Sequence, residues 1–91
     1  METDKVQSRI RAIAKNSHIG VESVIPDVKM QSADGRYLPV DIKAKGKFAN
    51  FRDFLIGLGE LPYLEHIEEI QIRRIPESKE FKVRLWLALG P

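Results

Sequence analysis

Ninety-one residues make a single domain, long enough to bury a core unaided but with little margin. The chain has no cysteine, which excludes disulfides, zinc–thiolate centres and thiol nucleophiles. Its net charge of +2, with acids and bases interspersed, describes a solvated surface and does not ask for a nucleic-acid partner. No apolar run approaches the length of a membrane helix. The start, METDKVQSRI, is polar and mixed in charge and does not read as a signal peptide.

The first helix is expected from Asp4 to about Asn16. Val6, Ile10, Ile13 and Ala14 form one stripe on it, and Thr3 or Asp4 is the N-cap. Asn, Ser and Gly collect between Asn16 and Gly20 and should end it, with His18 at the exit. A strand is expected next, about Val24 to Gln31, with Val24, Val28 and Met30 on one face. Pro26 inside it demands a sheet edge or a bulge. Ala33-Asp34-Gly35 is a hairpin turn. The second strand, about Tyr37 to Lys45, alternates: Leu38, Val40, Ile42 and Ala44 point one way, Tyr37, Asp41, Lys43 and Lys45 the other.

The stretch Gly46–Arg74 is where the core is anchored. Phe48, Phe51, Phe54, Leu55, Leu58 and Leu61 recur at spacings of three and four, so they share one helical face. Burying one such side chain is worth roughly 1.5–3 kcal/mol. Asn50, alone or with the glycine upstream, suits the first turn as a cap. Gly57 permits close approach of helix to sheet, and Gly59 ends the helix. Pro62 forbids its continuation. A third strand follows to about Ile75, with Ile70 and Ile72 alternating among charges. Pro76-Glu77-Ser78-Lys79 is the second turn. The last strand, about Glu80 to Leu89, turns Phe81, Val83, Leu85, Leu87 and Leu89 to one face and Lys82, Arg84, Trp86 and Ala88 to the other.

The order is αββαββ, one αββ unit written twice. The fold class that follows is α+β, a two-layer sandwich with two helices on one face of a four-stranded antiparallel sheet. It corresponds to a circularly permuted ferredoxin-like fold, with the first strand of βαββαβ moved to the end. The second and fourth strands are then central. The first and third are edges, as Pro26, Arg73 and Arg74 suit.

Little here carries chemistry. His66 with Glu65, Glu68 and Glu69 reads as a solvated acidic loop, since a metal needs three or four converging ligands. The acids are scattered rather than paired in a cleft. The serines lack a nucleophile elbow, and Gly57 and Gly59 are no phosphate loop. The sheet face away from the helices would carry Tyr37, Asp41, Lys43, Glu69, Gln71, Arg73, Lys82, Arg84 and Trp86. A basic face with aromatics suits single-stranded RNA, but acids are mixed into it and the RNA-recognition signature is missing. Cross-strand ion pairing is the plainer reading. Trp86, central on that face, is either covered by a neighbouring long side chain or contacts a partner.

The anchor stretch resembles the C-terminal domain of the PilO family, inner-membrane assembly proteins of the type IV pilus. The resemblance rests on Gly46-Lys47-Phe48, Phe51, Phe54-Leu55, Leu61-Pro62, and Ile70 with Ile72, supported by Ile13-Ala14 and Ile19-Gly20-Val21. Phe48, where the family usually has tyrosine, and Tyr63, where a basic residue is common, depart from it. A type II secretion counterpart with a similar domain is an alternative. The resemblance implies a cytoplasmic segment, one membrane helix and a periplasmic coiled coil ahead of such a domain. Residues 1–91 then read as one periplasmic domain excised from a longer single-pass inner-membrane protein, with Met1 added for expression.

The function so implied is a non-catalytic, cofactor-free scaffold of the pilus inner-membrane alignment complex. Its partners would be itself, a similarly folded PilN-like protein and other inner-membrane pilus components, with no nucleic acid. The rivals are a nucleic-acid-binding module using the open sheet face and, on fold analogy alone, a small-molecule sensor. With no active site, the surface must act. The expected interface is the first-strand edge at Lys29, Met30 and Gln31 with Arg9 on the helix flank, and Trp86 is the second choice. Phe48, Phe51, Phe54, Leu55 and Leu58 are the expected core anchor.

Overall fold

A computed structural model describes residues 3–89, with side chains from Lys5 onward, so the N-cap expected at Thr3 or Asp4 and Met1 lie outside the described side chains. The elements are α1 (Thr3–Asn16), β1 (Gly20–Pro26), a 3-10 turn (Val28–Met30), β2 (Tyr37–Gly46), α2 (Phe48–Gly59), β3 (Leu64–Ile75) and β4 (Ser78–Ala88). The four strands form one antiparallel sheet in the order β1-β2-β4-β3, with β2 and β4 central. The α+β layering expected from the hydrophobic periods is the observed one.

The register explains the core. Val40 faces Leu85, Ile42 faces Val83 and Ala44 faces Phe81, so the apolar sides of both central strands coincide. α1 adds Val6, Ile10 and Ala14, and α2 adds Phe51, Phe54 and Leu58, all buried. The Phe51 ring stacks on Phe81 with centroids 3.8 Å apart.

The exit of α1 needs no glycine. The Ile19 N–H donates to the Ala14 carbonyl at 2.9 Å and the His18 N–H to the Lys15 carbonyl at 3.2 Å, the two reversed bonds that close a helix through a left-handed residue. That residue is His18, at φ 58°. Ile19 then buries beside Ala14. Gly46 lies against this corner at φ 156°, a backbone conformation L side chains rarely adopt, and a Cβ on it would also stand 2.8 Å from Ile19 Cδ1, so glycine suits the entry to α2. Asn50 does not cap α2. The N-cap is Lys47 without a side-chain bond, and Asn50 reaches back to the His18 carbonyl at 3.5 Å.

Three further expectations are corrected. β1 ends at Pro26, and Val28–Met30 is a 3-10 turn with Val28 68% and Met30 56% exposed. Their alternation mimicked a strand face, but past Pro26 the Asp27 N–H already bonds the Pro39 carbonyl and the Met30 N–H folds back onto the Asp27 carbonyl. Phe48 is half exposed rather than core. It stands one turn ahead of Phe51, beside the β3–β4 turn, with the Lys79 ammonium 5.0 Å above its ring. Gly57 admits a helix rather than the sheet: a Cβ there would meet Ile13 Cγ2 of α1 at 2.5 Å. Gly59 ends α2 as expected, though the stop passes through Glu60 in right-handed geometry ahead of Leu61-Pro62 rather than through a left-handed glycine.

Pro39 lies within a central strand, where proline is rare. Its carbonyl points at Asp27, on the side where β1 has ended, so its missing N–H removes no bond to β4.

Candidate partner interface

The open face of the sheet is laid out by the alternation of β2, β4 and β3. Arg84, in the middle of β4, is the hub. Its Nη1 reaches Asp41 Oδ1 and Oδ2 at 2.9 and 2.8 Å, its Nη2 Asp27 Oδ2 at 3.2 Å and its Nε Glu68 Oε2 at 3.2 Å. The hydrogen-bonded Asp41 carboxylate, then Asp27, push its pKa above the ordinary value. A second knot surrounds Glu80, buried on the same face, with Arg73 at 3.0 Å and Lys43 at 3.8 Å. At the β1 bulge Glu22 takes Lys45 at 2.7 Å and Lys43 at 3.7 Å. The bond from Lys45 holds the Glu22 carboxyl below its usual range. The cross-strand ion pairing read from the sequence is therefore present.

Trp86 is half-buried among its neighbours rather than standing free. Pro39 stands opposite it on β2 and His66 on β3. The His66 ring lies 6.2 Å from the indole, within 18° of parallel, and Nε1 donates to Glu68 Oε1 at 2.9 Å. Glu65, His66 and Glu68 belong to β3 and not to a loop. Among the described residues no three of His, Asp or Glu converge to hold a metal.

The expected interface residues fall on two surfaces. The turn after Lys29, Met30 and Gln31 brings Ser32 beside Tyr37 and Trp86, around one shallow hollow. That turn is set by Asp34, which accepts from the Ser32 hydroxyl at 2.7 Å and from the Arg36 N–H at 3.0 Å. The Arg36 N–H, then Ser32, lower the Asp34 pKa. Arg9 lies in the helix layer, in the groove where α1 meets Gly57, Glu60 and Leu61 of α2. The backbone pairing proposed at Lys29–Gln31 has no strand to work with, since the Met30 and Gln31 N–H groups bond inside the turn.

What sequence reasoning missed lies on β3. Ile70 and Ile72 face the same side as their partners Val83 and Phe81, toward the helices, yet are 42% and 46% exposed. Leu64 and Ile67, earlier on β3, still pack against the core, but the layer above does not cover Ile70 and Ile72. The signal in the sequence was the run of charges around them on a strand assigned to the edge.

With the geometry in place, the comparisons are specific. A profile described as the Type IVa pilus alignment subcomplex PilO C-terminal domain matches residues 2–89. The chain belongs to the PilO family. It also superposes on the crystal structure of the type 4 fimbrial biogenesis protein PilO from Pseudomonas aeruginosa with a TM-score of 0.78 and 18% identity, over 93% of this chain and 66% of that one. At that identity the likeness shows the fold, and this PilO-family chain spans slightly less than two thirds of the solved one. No curated protein sequence matches it. The residues that carry the family resemblance hold the fold: Gly46 against Ile19, Phe51 and Phe54 in the core, Leu61-Pro62 at the stop of α2.

Proposed function

We propose that this PilO-family chain is a non-catalytic scaffold domain of the type IV pilus inner-membrane alignment complex. It acts in the periplasm as the C-terminal domain of a longer membrane-anchored protein, by associating with itself or with a similarly folded PilN-like partner. The observation that carries this reading is the family match over residues 2–89, together with a sheet in which, among the described residues, the outer strand β3 pairs with β4 alone. The ionisable groups of the open face support a structural role, because Arg84, Glu80 and Glu22 each have opposite charges within 4 Å. The nucleic-acid alternative would use Tyr37 and Lys82, which are exposed on that face, but Trp86 is flanked by Pro39 and His66 and Arg84 is surrounded by carboxylates, so the cation at the centre of the face is not free for a phosphate.

The test is light scattering on this chain alone, then mixed with the periplasmic domain of a PilN-like protein, with a parallel titration of labelled single-stranded RNA at two salt concentrations. A stoichiometric protein complex and no RNA binding are expected. Salt-dependent RNA binding without any protein association overturns the scaffold reading.

A further inference from the structure

The outer edge of β3 is a self-complementary docking strand, and we infer that it pairs antiparallel with β3 of a second copy of this chain about a two-fold axis at Gln71. The inference rests on the association reading above and names its surface and its partner.

Three observations lead to it. The first is the backbone. β3 is twelve residues long and, among the described residues, is bonded on one side only, to β4. The two-residue turn at Pro76-Glu77 closes on the pair Ile75–Ser78. In an antiparallel ladder the closing pair of such a turn is hydrogen-bonded and bonded pairs alternate with non-bonded ones. Arg73 and Gln71 therefore bond inward, and Arg74, Ile72 and Ile70 turn their N–H and C=O groups to the open edge. A long edge of this kind is a template for another strand.

The second is apolar surface. Ile70 and Ile72 are about half exposed on the helix side of that edge. Centring the pair on Gln71 sets Ile70 of each copy against Ile72 of the other. The residues whose backbones face outward then become the bonded pairs of the new ladder, and their side chains cover one another.

The third is charge. The strand reads LEHIEEIQIRRI, acidic in its first part and basic in its last. The same register sets Glu69 of each copy against Arg73 of the other on the open face, twice per dimer. A parallel arrangement would stack Arg on Arg. Glu69 is free for this: its contact inside the chain is with the neighbouring Gln71 side chain. Arg73, 71% exposed, binds Glu80 through Nη2 and retains further donors. Opposite charges facing across strands support pairing and like charges oppose it. The axis joins two four-stranded sheets into one of eight. The contact is a single strand with two ion pairs, so it is weak and salt-sensitive.

The test begins with sedimentation of this 91-residue chain up to millimolar concentration, with amide hydrogen exchange at both ends of the series. A dimer is expected, and the Ile70 and Ile72 amides should become protected as it forms, whereas Gln71 and Arg73 are protected throughout. Glu69→Arg places arginine against arginine twice and should weaken the dimer at least about tenfold without unfolding an exposed site. Ile72→Lys, also at an exposed position, should do the same and does not depend on the ion pairs. Arg73→Glu alone should be monomeric, and mixing it with Glu69→Arg should restore association, since both cross-edge pairs are then complementary in the mixed dimer. If Glu69→Arg and Ile72→Lys both dimerise like the parent, the edge is wrong and self-association runs through another surface. A chain that stays monomeric throughout overturns the inference but not the scaffold reading, which the PilN-like partner tests separately.

Discussion

Phe51 and Phe81 lie ring on ring, centroids 3.8 Å apart and planes within 2° of parallel, and this contact fastens α2 to the central strand β4. Phe54 joins them at 6.3 Å from Phe51. All three rings are at most 1% exposed. Phe51→Ala leaves a cavity between helix and sheet and should cost about 3–5 kcal/mol, enough to threaten a domain of this size. Phe48→Ala, half exposed under Lys79, should cost under about 1 kcal/mol. Urea titrations of both variants check this, and comparable losses for the two would refute the assignment of Phe51 to the core.

Gly57 decides how closely the two helices approach. In an unobstructed helix, Gly→Ala gains about 1 kcal/mol. Here the new methyl would sit 2.5 Å from Ile13 Cγ2, so Gly57→Ala should lower the melting temperature. In an Ile13→Ala background the same change should be neutral or favourable. A double-mutant cycle is expected to show coupling above about 1 kcal/mol; additive effects would mean that the helices separate without penalty.

His18 and Glu77 adopt φ of 58° and 62°, a region L-residues enter at a cost. His18 closes α1, and Glu77 follows Pro76 in the β3–β4 turn. Glycine at either place should raise stability by roughly 0.5–1 kcal/mol, net of its own chain entropy. Thermal melts of His18→Gly and Glu77→Gly give the answer, and a drop in both would mean that their side chains matter more than their backbones.

The Glu22–Lys45 pair makes stability depend on acid. The folded state holds the Glu22 pKa below its ordinary 4.5, chiefly through the Lys45 hydrogen bond. A depressed carboxylate contributes stability above its unfolded pKa and loses it as pH falls through the folded value. The melting-temperature advantage of the parent over Glu22→Gln should be present at neutral pH and vanish well below 4.5. Asp34, lowered by the Arg36 N–H, acts with the same sign below its ordinary 3.8. An advantage that grows in acid would contradict the assignment.

Much of this was legible in the chain itself, and the reason is periodicity. Alternation at Leu38–Val40–Ile42–Ala44 and Phe81–Val83–Leu85–Leu87 named two core-facing strands, and the three-and-four spacing of Phe51, Phe54 and Leu58 named the helix that covers them. Those signals are local, and each requires only that one side of an element be dry. Strand order followed too, because Pro26 and the charges of β3 suit edges.

Tertiary structure decided what depends on how far one layer reaches over another. The period that placed Phe48 with Phe51 could not show that the sheet runs out beneath it, nor that the helices stop short of Ile70 and Ile72. Alternation carried the first strand on through Val28 and Met30, where the Met30 and Gln31 N–H groups instead turn back onto Asp27 and Val28. The convergence of Asp27, Asp41 and Glu68 on Arg84 joins residues up to 57 positions apart, which only the sheet register brings within 3.2 Å. Trp86 needed the same register: whether it is presented or covered depends on Pro39 and His66, its neighbours across two strands. Sequence determines which side of an element is apolar, because that is a property of a few adjacent residues. Coverage and cross-strand pairing are properties of distant segments, and those are fixed only when the layers pack.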